Sequence, residues 1–156
     1  MTDQKPILLA EDDDDDVELI LAAMADNHIA NRVVRVRNGA EALDYLQRRG
    51  VYAGAESPAV VLLDIKMPKV NGIEALRIIK SDPELRRIPV VMLTSSRQAP
   101  DLNECYGLGA NAYAVKPVDF QEFFNAIKLV GGFWGVLNET PDNERSKART
   151  RLDTGA

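Results

Sequence analysis

Cysteine and histidine are scarce in this sequence, since Cys105 and His28 each stand alone among 156 residues. A single cysteine excludes a disulfide bond within the chain. On a helix, Cys105 is most simply a small apolar residue rather than a redox sensor. His28 has no serine or cysteine nucleophile nearby, so it is interpreted as a helix-end residue rather than a catalytic base. Neither residue points to a catalytic function.

Long apolar runs are also missing. The longest uncharged apolar stretches are only as long as a strand, so no membrane span is expected. Residues 1–6 lack the pattern of a secretory signal. Together with the single cysteine, these features predict a cytoplasmic protein. No internal repeat is evident, and the only low-complexity segment is the aspartate run at residues 12–16.

The composition predicts one folded domain. A chain of 156 residues can bury a real core. Hydrophobic residues make up 46% of it, which argues against intrinsic disorder. The formal net charge of −5 argues against non-specific binding to nucleic acid.

Strand patterns and helix patterns alternate five times along the chain, which predicts a parallel sheet with helices on both faces and right-handed crossovers. Apolar runs mark the strands, and Asn-Gly or proline residues mark the starts of several helices. The predicted strands are Ile7–Ala10, Val33–Val36, 59–63, 90–93 and Ala112–Val115, and the helices that follow them cover 17–24, 40–49, 73–80, 100–107 and 120–130.

The first helix carries an apolar stripe at Val17, Ile20, Leu21 and Met24, a spacing that favours one buried face. The aspartate run at 12–16 precedes it. Aspartate caps a helix well, and negative charge is favourable at a helix N-terminus. Residues 13–16 are therefore predicted to be solvated acids at the start of the helix rather than metal ligands, with Asp13 kept as a candidate outer-sphere member of the metal site.

Asp64 is the most informative residue of the chain. It follows the apolar run 59–63, which Pro58 and Pro68 enclose. A run of this kind is typical of a strand that is buried on both faces of a parallel sheet. In open α/β sheets, ligands bind beyond the carboxyl ends of the strands. Asp64 is therefore predicted to lie at a functional site.

Polar residues end the other strands as well. Glu11 and Asp12 follow the first strand, Thr94 ends the fourth, and Lys116 ends the fifth. Together with Asp64, the set comprises an acid pair, a further acid, a hydroxyl and a lysine at one edge of the sheet. Oxygen ligands suit Mg²⁺, and a lysine suits a phosphoryl oxygen. The pattern predicts a site for Mg²⁺ and a phosphoryl group.

Four segments at strand ends, in this order, resemble the receiver domains of bacterial two-component response regulators, and the likeness extends over residues 5–130. It implies an α/β fold of the flavodoxin-like (βα)5 type, with a doubly wound parallel sheet of strand order 2-1-3-4-5 in three α/β/α layers. The long loop before Pro58 and residues 132–139 resemble, more narrowly, the small regulators paired with phytochrome histidine kinases. The four segments are LLAEDD at 8–13, LLDIKMP at 62–68, VMLTSS at 91–96 and GANAYAVKP at 109–117.

The resemblance implies a role for each site residue. Asp64 would accept a phosphoryl group from a partner sensor histidine kinase and form an acyl phosphate. Mg²⁺ would be held by Glu11, Asp12, Asp64 and the backbone carbonyl of Lys66. The protein would then be a signalling phosphoacceptor rather than an enzyme acting on a substrate.

The same resemblance implies how the phosphoryl group is sensed. Lys116 would pair with a phosphoryl oxygen as a point charge. Thr94 would donate a hydrogen bond to another oxygen once phosphate arrives. Tyr113 matches the aromatic residue that rotates in this family, so Thr94 and Tyr113 together are predicted to form the switch.

The C-terminal region has two apolar stripes at helical spacing, although the last helix of one domain needs only one. One interpretation is a packed tail, and the other is a homodimer face that includes Phe120, Phe123, Phe124, Phe133 and Trp134. The receiver domain with this aromatic extension is predicted to cover 1–138, and the polar residues 139–156 are predicted to be a disordered tail. No DNA-binding domain follows, so changed dimer or partner binding is the expected output.

Two other classes of protein use related arrangements. A phosphatase of the haloacid dehalogenase type also has a strand-end Asp nucleophile and Mg²⁺, but it places a second Asp two residues later, where this chain has Lys66. A flavodoxin-type carrier would need a phosphate-binding loop rich in Ser, Thr and Gly after the first strand. Here that position holds Glu11 and three aspartates, which would repel phosphate.

Overall fold

The computed structural model describes residues 5–26, 30–94, 101–110 and 112–115, and for 101–103 and 112–115 it describes the backbone alone. Within these ranges, strands and helices alternate as the sequence predicts. A single 3-10 turn, Gly50–Tyr52, lies in the long loop before Pro58. The elements are β1 (Ile7–Ala10), α1 (Asp14–Asp26), β2 (Val33–Val36), α2 (Gly39–Leu46), β3 (Val60–Asp64), α3 (Gly72–Ser81), β4 (Val90–Thr94), α4 (Asp101–Gly107) and β5 (Ala112–Val115).

The five strands form one parallel sheet in the order β2-β1-β3-β4-β5. This is the flavodoxin-like order, and the prediction is confirmed. The register decides where the strands end: Ala10 pairs with Leu63, and Asp64 pairs with Leu93. The residues that end β1, β3 and β4 therefore meet at one edge of the sheet.

The three central strands supply the middle of the core. Every residue of β1, β3 and β4 is buried, as expected for strands covered on both faces. Leu8 and Leu63 belong to a cluster with residues of α2, α3 and α4. The alternate residues Leu9 and Leu62 are fully buried and point to the opposite face.

The strand order and the handedness of the crossovers determine on which face of the sheet each helix lies. The chain steps one way from β1 to β2, and the other way from β2 through β3 and β4 to β5. Right-handed crossovers therefore put α1 on one face and α2, α3 and α4 on the other. The contacts of α2 with α3 and of α3 with α4 agree with this arrangement.

One detail of the predicted α1 stripe is wrong. Val17, Ile20 and Met24 are buried, but Leu21 is 40% exposed and Ala23 is buried instead. Successive residues of a helix are separated by about 100°, so Leu21 and Ala23 flank the buried centre on opposite sides. The sheet covers the Ala23 side, and spacing alone did not distinguish the two.

Asparagine begins both of the next two helices, as their Asn-Gly pairs predict. The Asn38 side chain accepts from the backbone N–H of Glu41 at 2.8 Å, and Asn71 accepts from Glu74 at 2.9 Å. Helix α2 ends at Leu46 rather than at 49, because Arg48 takes a left-handed conformation with φ of 58° that ends the helix.

Several predictions fall on residues outside the described ranges. These are the helix at 120–130, the aromatic extension at 133–137 and the tail at 139–156. The predicted domain limit at 138 therefore stays a prediction. Among the helices that are described, none is both long and apolar enough to span a membrane.

Candidate functional site

Three acids meet at the carboxyl ends of two adjacent strands. Glu11 and Asp12 directly follow β1, and Asp64 is the last residue of β3. Each offers a carboxylate oxygen, and these three oxygens lie within 4.8 Å of one another. The structure thus brings together three of the four residues predicted to hold the metal.

Burial raises the electrostatic cost of placing these three carboxylates side by side. Glu11 is fully buried and Asp64 is 4% exposed, whereas Asp12 is exposed. Carboxylates removed from water and placed side by side repel one another strongly unless a positive charge or hydrogen bonds offset the repulsion. The exposed Asp12 leaves one side of the cluster open to solvent, so an ion can reach it.

The donor set fits a hard divalent cation. Carboxylate oxygens are the ligands that Mg²⁺ prefers, and two oxygens on opposite sides of one Mg²⁺ are about 4.2 Å apart. The three acid oxygens lie within 4.8 Å of one another, which is close enough for them to share one cation. Lys66 lies two residues after Asp64 with its side chain exposed, and the role of its carbonyl stays a prediction.

Backbone N–H groups in and next to the loop after β1 donate to a carbonyl of β2 and to two carboxylates of the loop. The Glu11 N–H donates to the Val36 carbonyl at 3.1 Å, and the Asp13 N–H donates to the Glu11 carboxylate at 3.2 Å. The Asp13 carboxylate accepts from the N–H groups of Asp15 at 2.8 Å and Asp16 at 3.1 Å. Asp13 is therefore the N-cap of α1, which agrees with its interpretation as a helix acid.

Arg35 contacts this loop from β2 and was not singled out from the sequence. Its Nε donates to the Glu11 carbonyl at 2.9 Å, and its Nη2 lies 2.9 Å from the Asp14 carboxylate. Hydrogen bonding to Arg35, with the charges of Arg35 and Arg37, lowers the pKa of the Asp14 carboxyl. In the sequence, the only signal of this contact is a basic residue within an otherwise apolar strand, and that strand comes after the acidic residues 11–16 and the helix α1.

Gly72 lies directly against the backbone of Asp64 and Ile65. Its N–H donates to the Ile65 carbonyl at 2.8 Å. A Cβ at Gly72 would lie 2.1 Å from the Asp64 carbonyl oxygen and 2.8 Å from the Ile65 Cα, both backbone atoms. Only glycine allows the start of α3 to pack this closely against the end of β3.

Thr94 lies beside the acids on the next strand. It is the last residue of β4 and is buried. Because Asp64 pairs with Leu93, Thr94 is one residue further along the neighbouring strand. Thr94 in turn pairs with Val115, the residue that precedes Lys116. The fifth strand therefore ends at the same edge.

The remaining predicted residues lie beyond what the structure describes. For Tyr113 the backbone alone is described, and it pairs with Met92 on β4. Six further predicted residues lie outside the described ranges, so their roles and that of Tyr113 stay predictions. They are Lys116, Phe120, Phe123, Phe124, Phe133 and Trp134.

The fold agrees with comparisons to known proteins. The family model of the response regulator receiver domain matches residues 7–128. The response regulator Rcp1 of Synechocystis sp. is 35% identical over 130 residues, which are 83% of this chain and 88% of Rcp1. A solved structure of the Mn²⁺-bound form of Rcp1 is similar with a TM-score of 0.71 and 34% identity, and it covers 87% of this chain and 97% of that chain.

Two further solved structures are more similar still. The bacteriophytochrome response regulator RtBRR has a TM-score of 0.80 and 50% identity, with 96% of this chain and 92% of that chain covered. The phosphorylated cyanobacterial phytochrome response regulator RcpA has a TM-score of 0.73 and 40% identity, with 87% and 99% covered. The likeness therefore extends over nearly the whole of each regulator.

The packing of Gly72 gives a stability prediction. Gly72→Ala should lower the free energy of unfolding by about 1–3 kcal/mol, because the added methyl group must displace the backbone at Asp64 or the start of α3. Gly54→Ala is the control, since a Cβ there meets nothing within 4 Å, and it should change stability by less than about 0.5 kcal/mol. Chemical denaturation measures both, and equal effects would show that the close approach costs nothing.

Proposed function

The chain belongs to the response regulator receiver domain family, and from this premise we propose that Asp64 is its phosphoacceptor. Receiver domains take phosphoryl groups from histidine kinases. The observation that carries the assignment is the position of Asp64, which ends the buried strand β3 within 4.8 Å of two further acids. Its carboxylate is the one at this edge that both ends a central strand and lies next to Thr94 on β4.

The proposed reaction is a direct phosphoryl transfer. A carboxylate oxygen of Asp64 attacks the phosphorus of a phosphohistidine, the phosphorus–nitrogen bond breaks, and the histidine nitrogen keeps the electron pair. The product is an acyl phosphate. Such a transfer depends on positioning and charge neutralisation more than on acid–base chemistry. The buried strand fixes Asp64, and the neighbouring groups must supply the countercharge.

The countercharge is proposed to come from Mg²⁺ and Lys116. Glu11, Asp12, Asp64 and the backbone carbonyl of Lys66 would hold the cation, which neutralises phosphoryl oxygens when bound. The fit of the three acids to a divalent cation and the Mn²⁺-bound form of Rcp1 support a divalent metal here. Lys116 would pair with one of the remaining oxygens.

The switch is proposed to be Thr94 with Tyr113. A phosphoryl group adds about −1.5 to −2 charges and three acceptor oxygens next to Thr94. Thr94 would donate to one of these oxygens and open space into which Tyr113 turns. The position of Thr94 at the end of β4 and its neighbourhood to β5 support this route.

The partner is proposed to be a phytochrome-type sensor histidine kinase. The support is the similarity to RtBRR and RcpA, both of which are phytochrome response regulators. The protein would then work in the cytoplasm as a signalling phosphoacceptor rather than as an enzyme. The family match does not support the haloacid dehalogenase alternative, and Lys66 stands where such an enzyme needs its second Asp.

Phosphorylation of a single residue is the first test of this function. Wild type incubated with Mg²⁺ and acetyl phosphate should gain the mass of one phosphoryl group, and Asp64→Asn should gain none, because an amide cannot form the acyl phosphate. Asp44→Asn, in an ion pair on α2, is the control and should behave as wild type does. Intact mass spectrometry reads the result, and an adduct that persists in Asp64→Asn would refute the assignment.

Metal binding by the acid pair is the second test. The double variant Glu11→Gln, Asp12→Asn loses two ligand charges and should bind Mg²⁺ at least about tenfold more weakly, as titration calorimetry measures. Asp15→Asn removes an exposed charge in the first turn of α1, outside the cluster. It should weaken binding less than about threefold, since solvent screens exposed charges. Unchanged affinity in the double variant would contradict the site.

Self-association is the proposed output. We base it on the second apolar stripe in the C-terminal sequence, which includes Phe133, because an apolar stripe left uncovered costs solubility unless it meets a partner. A homodimer on 120–130 and 133–137 would bury this stripe against its symmetry mate, and phosphorylation would strengthen or rearrange the dimer. The alternative, in which these residues pack only on their own domain, stays open.

Sedimentation velocity distinguishes these alternatives. Wild type at tens of micromolar should sediment as a dimer, more so with beryllofluoride as a phosphate mimic, whereas Phe133→Asp with Trp134→Ser should be monomeric yet still accept phosphate. Thr94→Ala should accept phosphate and lose the response to beryllofluoride, since the coupling hydroxyl is gone. A wild type that remains monomeric with and without the mimic would show that the stripe serves only its own domain.

A further inference from the structure

We propose that Arg35 is a positioning residue for the metal site, and this inference rests on the proposed function of Glu11 and Asp12. The guanidinium of Arg35 contacts the loop after β1 on both sides of Asp12. One contact is to the residue before Asp12 in the loop and the other is to the second residue after it. Arg35 thereby sets the shape of the loop that presents both ligands.

The contacts are short and partly shielded from water. Nε of Arg35 donates to the Glu11 carbonyl at 2.9 Å, and Nη2 lies 2.9 Å from the Asp14 carboxylate. The Arg35 side chain is only 21% exposed, although the Asp14 side chain is 72% exposed, whereas in the surface bridge of Arg32 and Glu56 both side chains are more than half exposed. Interactions of a partly buried charge are screened less by solvent than those between two exposed side chains.

The position of Arg35 on the sheet explains its reach. Arg35 pairs with Leu9 on β1, two residues before Glu11. Its side chain therefore starts beside the end of β1 and extends over the loop that follows. The arginine fork can bond a carbonyl and a carboxylate at the same time, whereas the single ammonium of a lysine cannot reproduce this two-point geometry.

The loop needs such a contact because it is crowded with negative charge. Residues 11–14 are all acidic, and Asp64 adds a further carboxylate at the cluster. Before a cation arrives, mutual repulsion acts to spread these groups apart. A guanidinium that donates to the Glu11 carbonyl and forms an ion pair with Asp14, the first residue of α1, opposes that spreading, so the ligands are already arranged when the cation binds.

Positioning and simple charge make opposite predictions for Arg35. A positive charge near the site repels Mg²⁺, so its loss alone would tighten binding. A positioning contact favours binding, so its loss would weaken binding even though a positive charge has been removed. The sign of the change in Mg²⁺ affinity therefore separates the two roles.

The experiment is a Mg²⁺ titration of the full chain by calorimetry. Arg35→Gln and Arg35→Lys should both bind Mg²⁺ roughly tenfold more weakly, the size typical of groups that orient metal ligands. Arg37→Gln is the matched control. Arg37 is also a β2-side arginine paired with Asp14, but at 3.4 Å and 62% exposed, and its removal should leave the affinity unchanged or slightly higher.

A second readout separates positioning from a general structural role. The rate of phosphorylation by acetyl phosphate is measured against Mg²⁺ concentration. Both Arg35 variants should need about tenfold more Mg²⁺ for half-maximal rate and should reach the wild-type maximum when Mg²⁺ is saturating. Thermal melting without Mg²⁺ shows that each variant is folded, and Arg35→Lys, which keeps the charge of the strand, serves if Arg35→Gln does not fold.

The results that would overturn the proposal are distinct. Tighter binding by Arg35→Gln with wild-type binding by Arg35→Lys would make Arg35 a charge only. Wild-type affinity in both variants would remove any role, and an unfolded Arg35→Lys would assign the residue to the fold. Failure of the wild type to bind Mg²⁺, or wild-type binding by Asp12→Asn, would instead refute the proposed metal site.

Discussion

The parallel pairing of β1 with β3 is the constraint on which the rest of the structure depends. The register that joins Ala10 to Leu63 brings the two strand ends together, and three carboxylates then meet within 4.8 Å. Asp64 is more than fifty residues from Glu11 and Asp12 in the chain, so it is the pairing of β1 with β3 that brings the three carboxylates together. Burial of the apolar strands β1 and β3 stabilises the fold, and this stabilisation offsets the electrostatic repulsion among the three carboxylates.

The supports of the cluster come from both sides of that pair. On one side Arg35 of β2 contacts the loop that carries Glu11. On the other, Gly72 lets α3 begin directly against the Asp64 carbonyl. Both supports act on backbone groups of Glu11 and Asp64, so neither of them occupies the carboxylates that are proposed to meet a cation and a phosphoryl group. The strands and short loops fix the backbone positions of the site residues, and the side chains are the groups proposed to carry out the chemistry.

The sequence predicted the strands and the acid cluster because both depend on local patterns. Apolar runs ended by acids are visible without a structure, and each Asn-Gly pair marked a helix start correctly. Leu21 was misplaced because spacing defines a stripe but not which of its flanks the sheet covers. Arg35 was missed because its contacts join β2 to a loop more than twenty residues earlier, and only the strand order reveals that they are neighbours.

Strand order also separates the two halves of the site. Along the edge, Arg35 and Glu11 stand on the side of β2 and β1, Asp64 lies on the central β3, and Thr94 stands on β4 next to β5. The side proposed to bind the cation is tied to the loop after β1, while the side proposed to sense phosphate continues into the fifth unit. A phosphoryl group on Asp64 would touch both sides. In the proposed function, one half of the edge would hold the cation while the other half changes on phosphorylation, so the two tasks of the switch would fall on different strands.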